Sequence, residues 1–238
     1  IDVGGSDIKV SFYVGGYLRF IFLYKWQPKN YTQAKFYSDT LNYIIELSGL
    51  FAALLNDKPD LLSIYKHTLT SFEVAIDKED KEDSKRREGL KKLIELWKGR
   101  VKISKIDAIA ISWPDVIREN LVIGGDTDKT QSLAGRQERK DEVALEKDRK
   151  YWQEYMELSN LSQIISERFG NIPVAIINDG NIAAYGTAVI TGESCIAATI
   201  GTSLGGGVSI LGRDERQVYD LLAYISRVIK DPYLQRTH

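Results

Sequence analysis

Asp2-Val3-Gly4-Gly5-Ser6-Asp7-Ile8-Lys9 is the stretch on which the reading of this chain turns. An apolar run, Ile1 to Val3, enters Gly4-Gly5-Ser6, and Ile8, Val10 and Phe12 then alternate with polar residues. That alternation predicts a strand returning from a glycine turn. Gly15-Gly16 is a hairpin signal, and Tyr17 to Tyr24 reads as the next strand. Glycine at such a turn lets backbone N–H groups approach phosphate oxygens that side chains would hold off, and the Ser6 hydroxyl adds a donor. Taken alone, a Gly-Gly pair is more often a tight hairpin with no ligand.

A second unit of the same kind lies far along the chain. Cys195 to Ile200 reads as a strand, Gly201-Thr202-Ser203-Leu204-Gly205-Gly206-Gly207 as a glycine-rich turn, and Val208 to Leu211 as a returning strand. Two such hairpins can clamp a phosphate chain from both sides. Between them, Val174 to Ile177 reads as a buried strand that breaks at Asn178-Asp179-Gly180, and Ile182 to Val189 as a helix. A carboxylate there lies at a strand's carboxyl end, where open α/β folds place their sites. The competing reading of Asp179 is a helix N-cap.

Leu41, Ile44, Ile45, Leu47, Leu50, Phe51 and Leu54 recur at helical spacing and predict a helix over Thr40–Leu55. Further helices are expected over Pro59–Val74, around Leu90–Trp97, over Leu161–Phe169 and over Val218–Ile229, with a strand over Ile106–Ile111. Asp77 to Arg87 is expected to be solvated, Gly124 to Thr127 a turn, and 136–150 an exposed loop or helix. Gly170-Asn171 and Pro173 are stop signals for the helix before them.

Composition narrows the function. The chain has 238 residues, 43% of them hydrophobic, and a formal net charge of -1, so neither a polyanion partner nor a nucleic acid is expected. Cys195 is the sole cysteine and sits in an apolar run, so a buried structural thiol is expected. With only His67 and His238, a histidine triad or a multi-histidine metal site is close to excluded. No stretch reaches the roughly 18 apolar residues of a membrane span, and no signal peptide is visible, so a cytoplasmic protein is expected.

Four segments in order, Asp-x-Gly-Gly-Ser-x-x-Lys from Asp2, Ile111-Ser112-Trp113-Pro114, Asn178-Asp179-Gly-Asn-x-Ala-Ala-x-Gly, and Gly201-Thr-Ser-x-Gly-Gly-Gly, resemble the motifs of the ROK family. That family comprises bacterial sugar kinases and sugar-responsive repressors of the actin/hexokinase-like ATPase-fold superfamily. The resemblance implies an α/β, ribonuclease-H-like lobe over 1–193 with a helical elaboration at about 28–104, and the start of an incomplete second lobe over 194–238. It implies ATP and Mg2+ as cofactors, and ATP-dependent transfer of phosphate to a sugar hydroxyl. Gly4, Gly5, Ser6 and Lys9 would contact the phosphates, and Gly201, Thr202, Ser203, Gly205 and Gly206 would form the second phosphate loop. Asp2 would help hold the metal. Asn178, Asp179 and Pro114 would face the sugar, with Asp179 as the general base.

The sequence departs from the family pattern after Gly207. The glutamate and histidine residues that grip the sugar, the zinc ligands and the adenosine-binding glycine segment do not follow, and Asp115 stands where glycine is common. The alternatives are a non-catalytic sugar- or nucleotide-binding relative, or a regulator lacking its DNA-binding segment, since the first glycine motif opens at Asp2 with no helix-turn-helix before it. Family members are often oligomers, so a homodimer is a further expectation.

Overall fold

The computed structural model describes residues 1–57, 83–102, 104–123, 144–200, 204–211 and 216–220. Strands β2 (Asp7–Val14) and β3 (Tyr17–Lys25) form a hairpin closed by Gly15-Gly16, whose φ values of 58° and 81° are both left-handed. That conformation matches the twist of the flanking strands and needs glycine. Opposed residues share a face: Ile8 with Tyr24, Val10 with Phe22, Phe12 with Phe20. Phe20 and Phe22 meet Phe51 of helix α1 (Ala34–Asp57) edge-on at 5.9 and 5.8 Å.

The hairpin leads into a mixed five-stranded sheet ordered β3-β2-β1-β4-β7. Strand β1 (Asp2–Val3) runs antiparallel to β2 and parallel to β4 (Ile109–Trp113), which is parallel to β7 (Val174–Asn178). A two-stranded ribbon, β5 (Ile117–Arg118) with β6 (Leu121–Val122), follows β4. The second sheet is antiparallel, ordered β10-β9-β8, from β8 (Cys195–Ile200), β9 (Leu204–Leu211) and β10 (Arg216–Asp220).

Helix α1 is buried along its described length through Tyr37, Leu41, Ile44, Ile45, Leu50 and Leu54, with α2 (Ser84–Lys98), α3 (Ala144–Ser159) and α4 (Leu161–Arg168) packed around it. Its first turn is fixed from outside: the Ala34 N–H donates to the Glu154 carboxylate of α3 at 2.7 Å. Glu46 on α1 takes Arg168 of α4 at 2.6 Å and Lys98 of α2 at 3.6 Å. A fifth helix, α5 (Asp179–Thr191), links β7 to the second sheet. In the 28–104 region the described residues hold a short 3-10 turn at Pro28–Asn30, α1 and α2, and no strand. The helix expected over 59–74 and the turn at 124–127 lie outside the described residues.

Several expectations are corrected. Asp77–Arg87 is not simply solvated. Asp83 is 2% and Arg87 7% exposed, because the Asp83 carboxylate accepts from the Gln27 N–H and the Tyr31 hydroxyl, while Arg87 lies over the rings of Phe36 and Tyr31. Residues 216–220 form a strand, so the helix expected from Val218 does not begin there. These residues pair with β9, Val218 opposite Ser209, and the rest of the helix expected over Val218–Ile229 lies outside the described residues. Strand β4 starts at Ile109 rather than Ile106, where pairing with Val174 begins. Strand β7 is buried on one face only, since Ala175 and Ile177 are exposed on an edge strand of the sheet. Within 136–150, the described residues from Ala144 are helical and Lys150 is exposed, in line with an exposed helix; α3 then runs on to Ser159, where Tyr151, Tyr155 and Leu158 bury its inner side. Cys195 is only partly buried, because it opens β8, an edge strand of the second sheet.

Candidate functional site

The ends of β1, β4 and β7 line up across the sheet. Asp2 pairs with Ser112, and Ser112 with Ile177; one residue further, Trp113 pairs with Asn178. Past those ends the chain continues with Gly4 after β1, Pro114 after β4 and Asp179 after β7, so all three follow the carboxyl ends of strands that are parallel neighbours. Neighbouring strands are separated by about 4.8 Å, so β1 and β7, with β4 between them, are roughly 10 Å apart.

The first glycine turn is held on both sides. The Gly4 N–H donates to the Asp7 carbonyl at 2.8 Å, and a methyl group added to Gly4 would come 2.9 Å from that same oxygen, so the turn closes only without a side chain there. Trp26, 2% exposed, binds the turn with two donors: its indole N–H reaches the Gly4 carbonyl at 2.9 Å, and its backbone N–H the Ser6 carbonyl at 3.1 Å. Lys9 lies opposite Asp2 in the β1–β2 ladder, and its ammonium is 3.6 Å from Asp2 and 3.7 Å from Asp7. Asp2 and Lys9 are about half exposed, at 51% and 57% of their side chains, so this pairing contributes little to stability. The same exposure leaves the ammonium able to turn toward an anion arriving at the turn.

Asn178, not Asp179, is the helix N-cap. Its extended backbone, φ -60° and ψ 143°, precedes α5, and its Oδ1 accepts from the Gly180 and Asn181 N–H groups at 2.9 and 3.2 Å. Its Nδ2 donates to the Asp115 carbonyl at 3.0 Å, tying β7 to the end of β4. This overturns the reading of Asp179 as the cap. The capping amide is also buried, at 6% exposure, so much of the hydrogen-bonding capacity expected to meet a sugar is engaged inside the protein. Asp179 is the first residue of α5, half-buried, and its Oδ1 accepts from the Gly180 N–H at 2.7 Å. A negative charge is favoured there by the helix dipole. Pro114 is half-buried, and Asp2 is exposed.

The second glycine unit is partly a strand. Gly205, Gly206 and Gly207 belong to β9 and pair with Thr199, Ala198 and Ala197, which corrects the glycine turn expected over 201–207. The reason lies in α5. A methyl group on Gly180 would lie 2.7 Å from the Gly206 Cα, and one on Gly207 would lie 2.7 Å from the Asn181 Cα. Backbone packs directly on backbone where β9 crosses the first turn of α5, and that contact alone requires glycine at 180 and 207. The tip, Gly201, Thr202 and Ser203, lies outside the described residues.

Two participants escaped the sequence reading. Trp26 belongs to no motif, and nothing in its local pattern assigns it to a turn more than twenty residues earlier. Asp115 was noted only as a departure from a pattern; it is 2% exposed, its carboxylate takes the Trp113 indole N–H at 2.9 Å, and its carbonyl takes Asn178. Beneath them, burial pushes the Tyr37 phenol well above its usual range, with Tyr31 and then Asp115 adding to the effect, so Tyr37 stays neutral and donates to the Pro28 carbonyl at 2.8 Å. Among the described residues no group of three or more His, Cys, Asp or Glu is placed to hold a metal ion, and no helix is long and apolar enough to cross a membrane. Comparison with family models, with curated proteins and with solved structures found no match to this chain.

Proposed function

We propose that this chain is part of an ATP-dependent sugar kinase of the ROK type, built on a ribonuclease-H-like lobe. The observation that supports the reading is that Gly4, Pro114 and Asp179 each follow the carboxyl end of one of the parallel strands β1, β4 and β7. In this reading a glycine turn able to face phosphates and a carboxylate on an anchored helix start share one end of the sheet. The strand order, antiparallel on the β3 side and parallel on the β7 side, is the arrangement expected of such a lobe.

In this reading the backbone of Gly4, Gly5 and Ser6 contacts the terminal phosphates, with Lys9 turning from Asp2 and Asp7 to join them. Asp179, oriented by the Gly180 N–H, accepts the proton of a sugar hydroxyl. The hydroxyl oxygen attacks the γ-phosphorus, the bond to the bridging oxygen breaks, and ADP leaves. Magnesium usually reaches such sites with the nucleotide and needs only one or two carboxylates from the protein, which fits the half-exposed Asp2. It would supply charge neutralisation on the phosphates.

A non-catalytic sugar or nucleotide binder is the second reading. The contact of Gly207 with α5 favours it, since packing explains that glycine without a phosphate. Incubating the chain with ATP, magnesium and a panel of hexoses separates the two. The kinase reading expects ADP formation that depends on one sugar. Nucleotide binding without turnover supports the binder, and neither binding nor turnover removes both.

A further inference from the structure

Helix α2 begins on an aspartate that does not cap it. Asp83 stands at its N-cap position, which aspartate fills well by accepting from the N–H groups of the first turn. Here the side chain makes no such bond. Its Oδ2 accepts instead from the Gln27 N–H at 2.5 Å and from the Tyr31 hydroxyl at 3.1 Å, and the residue is 2% exposed. A buried carboxylate is thus engaged by a segment more than fifty residues earlier rather than by its own helix. The reason lies in that segment.

The chain leaves β3 through Lys25, Trp26 and Gln27 with its backbone groups pointing alternately to two sides, as along a strand. On one side the Trp26 N–H reaches the Ser6 carbonyl at 3.1 Å, and the indole N–H reaches the Gly4 carbonyl at 2.9 Å. On the other side lies the start of α2: the Lys25 carbonyl accepts from Arg86 at 2.7 Å, and the Gln27 N–H donates to Asp83. Trp26 is held between the two. Its donors grip the glycine turn, and the first turn of α2 grips the backbone on both sides of it. Tyr31, the second donor to Asp83, meets the Trp26 ring edge-on at 5.7 Å.

We propose that Asp83 is a positioning residue for the first glycine turn and acts through Gln27 and Trp26 to aim the Gly5 N–H at a nucleotide phosphate. The Gly4 carbonyl and the Gly5 N–H belong to one trans peptide unit and point in opposite directions. Drawing that carbonyl onto the buried Trp26 indole therefore turns the Gly5 N–H away from the core. A free carbonyl could swing the other way and present oxygen to an anion, which repels it. Asp83 prevents this by fixing the strand end that carries the indole. The inference rests on the reading of this turn as a phosphate site; the bond path from Asp83 to Gly4 does not.

The test compares Asp83→Ala, Asp83→Asn and Glu46→Ala with the parent chain. Calorimetric titration with magnesium-ATP reads affinity, and magnetic resonance reads the Gly5 amide and the Trp26 indole, which Trp26→Phe identifies among the four tryptophans. Asp83→Ala should weaken ATP by about tenfold, the loss of one bracing hydrogen bond, and shift both signals. Asparagine keeps an oxygen that accepts from Gln27, so Asp83→Asn should restore affinity to within about twofold. Glu46→Ala breaks the ion pairs of α1 with Arg168 and Lys98, which have no part in this path, and should leave affinity and both signals as in the parent. Unchanged affinity and signals in Asp83→Ala overturn the proposal. An equal loss in Asp83→Asn or in Glu46→Ala overturns it too, since acceptance from Gln27 would then not be the cause. A parent chain that binds no ATP removes the nucleotide reading of the turn, and the two signals alone then decide whether Asp83 sets its shape.

Discussion

The indole N–H of Trp26 donates to the carbonyl oxygen of Gly4 at 2.9 Å, joining the end of β3 to the first glycine turn. With the second bond to Ser6, this sets the shape of the turn before any ligand arrives. Trp26→Phe keeps an aromatic ring in the cluster with Tyr31 and Tyr37 but leaves the Gly4 carbonyl without its indole donor. The expected loss is about 1–3 kcal/mol of stability, read by urea denaturation, together with weaker nucleotide binding. Unchanged stability would mean the bond does not brace the turn.

The backbone contact between α5 and β9 gives a paired prediction. Gly207→Ala forces a methyl group against the first turn of α5 and should destabilise by about 1–3 kcal/mol. Gly186→Ala, in the same helix with nothing within 4 Å of the new methyl, should stabilise by about 0.5–1 kcal/mol. Thermal melts in which both variants move the same way would contradict the close approach.

Asn178 and its neighbour should separate cleanly. Asn178→Ala removes the cap and the link to Asp115, and should cost about 0.5–2 kcal/mol. Asp179→Asn removes no cap and should leave the melting temperature nearly unchanged. The reverse pattern would restore Asp179 as the cap.

Asp83 predicts a pH dependence. Burial, opposed by the Gln27 N–H and by Arg86, raises its pKa above the ordinary 3.8. The folded state then holds a proton that the unfolded state releases, so this residue's contribution falls as pH rises from about 4 toward its folded value. Denaturation of Asp83→Asn across the same range should lack that decline. A slope identical to that of the parent protein would show that Asp83 is not the group responsible.

The hairpin at Gly15-Gly16, the α1 periodicity and the placement of Asp179 after a strand were legible because each depends on spacing within a few residues. What the sequence hid depends on pairing between distant segments. Val218–Asp220, read as the start of a helix running to Ile229, is a strand because it pairs with β9. Asp83 and Arg87 read as surface because their partners, Gln27, Tyr31 and Phe36, lie about fifty residues earlier in the chain. The glycines at 206 and 207 signal close approach without saying to what, and helix α5 supplies the answer. Which residue caps α5 required the side-chain geometry of Asn178, since Asn and Asp are equally good caps by type.

The most direct test of the account is the turnover of Asp179→Asn against the parent chain, with ATP, magnesium and the sugar that supports ADP formation. The substitution keeps the shape of the side chain and the bond from Gly180 but removes the charge that, in the proposed kinase reading, takes the hydroxyl proton. The account predicts a fall in kcat on the order of 10²-fold or more, with nucleotide affinity and melting temperature little changed. Turnover equal to the parent chain would contradict it.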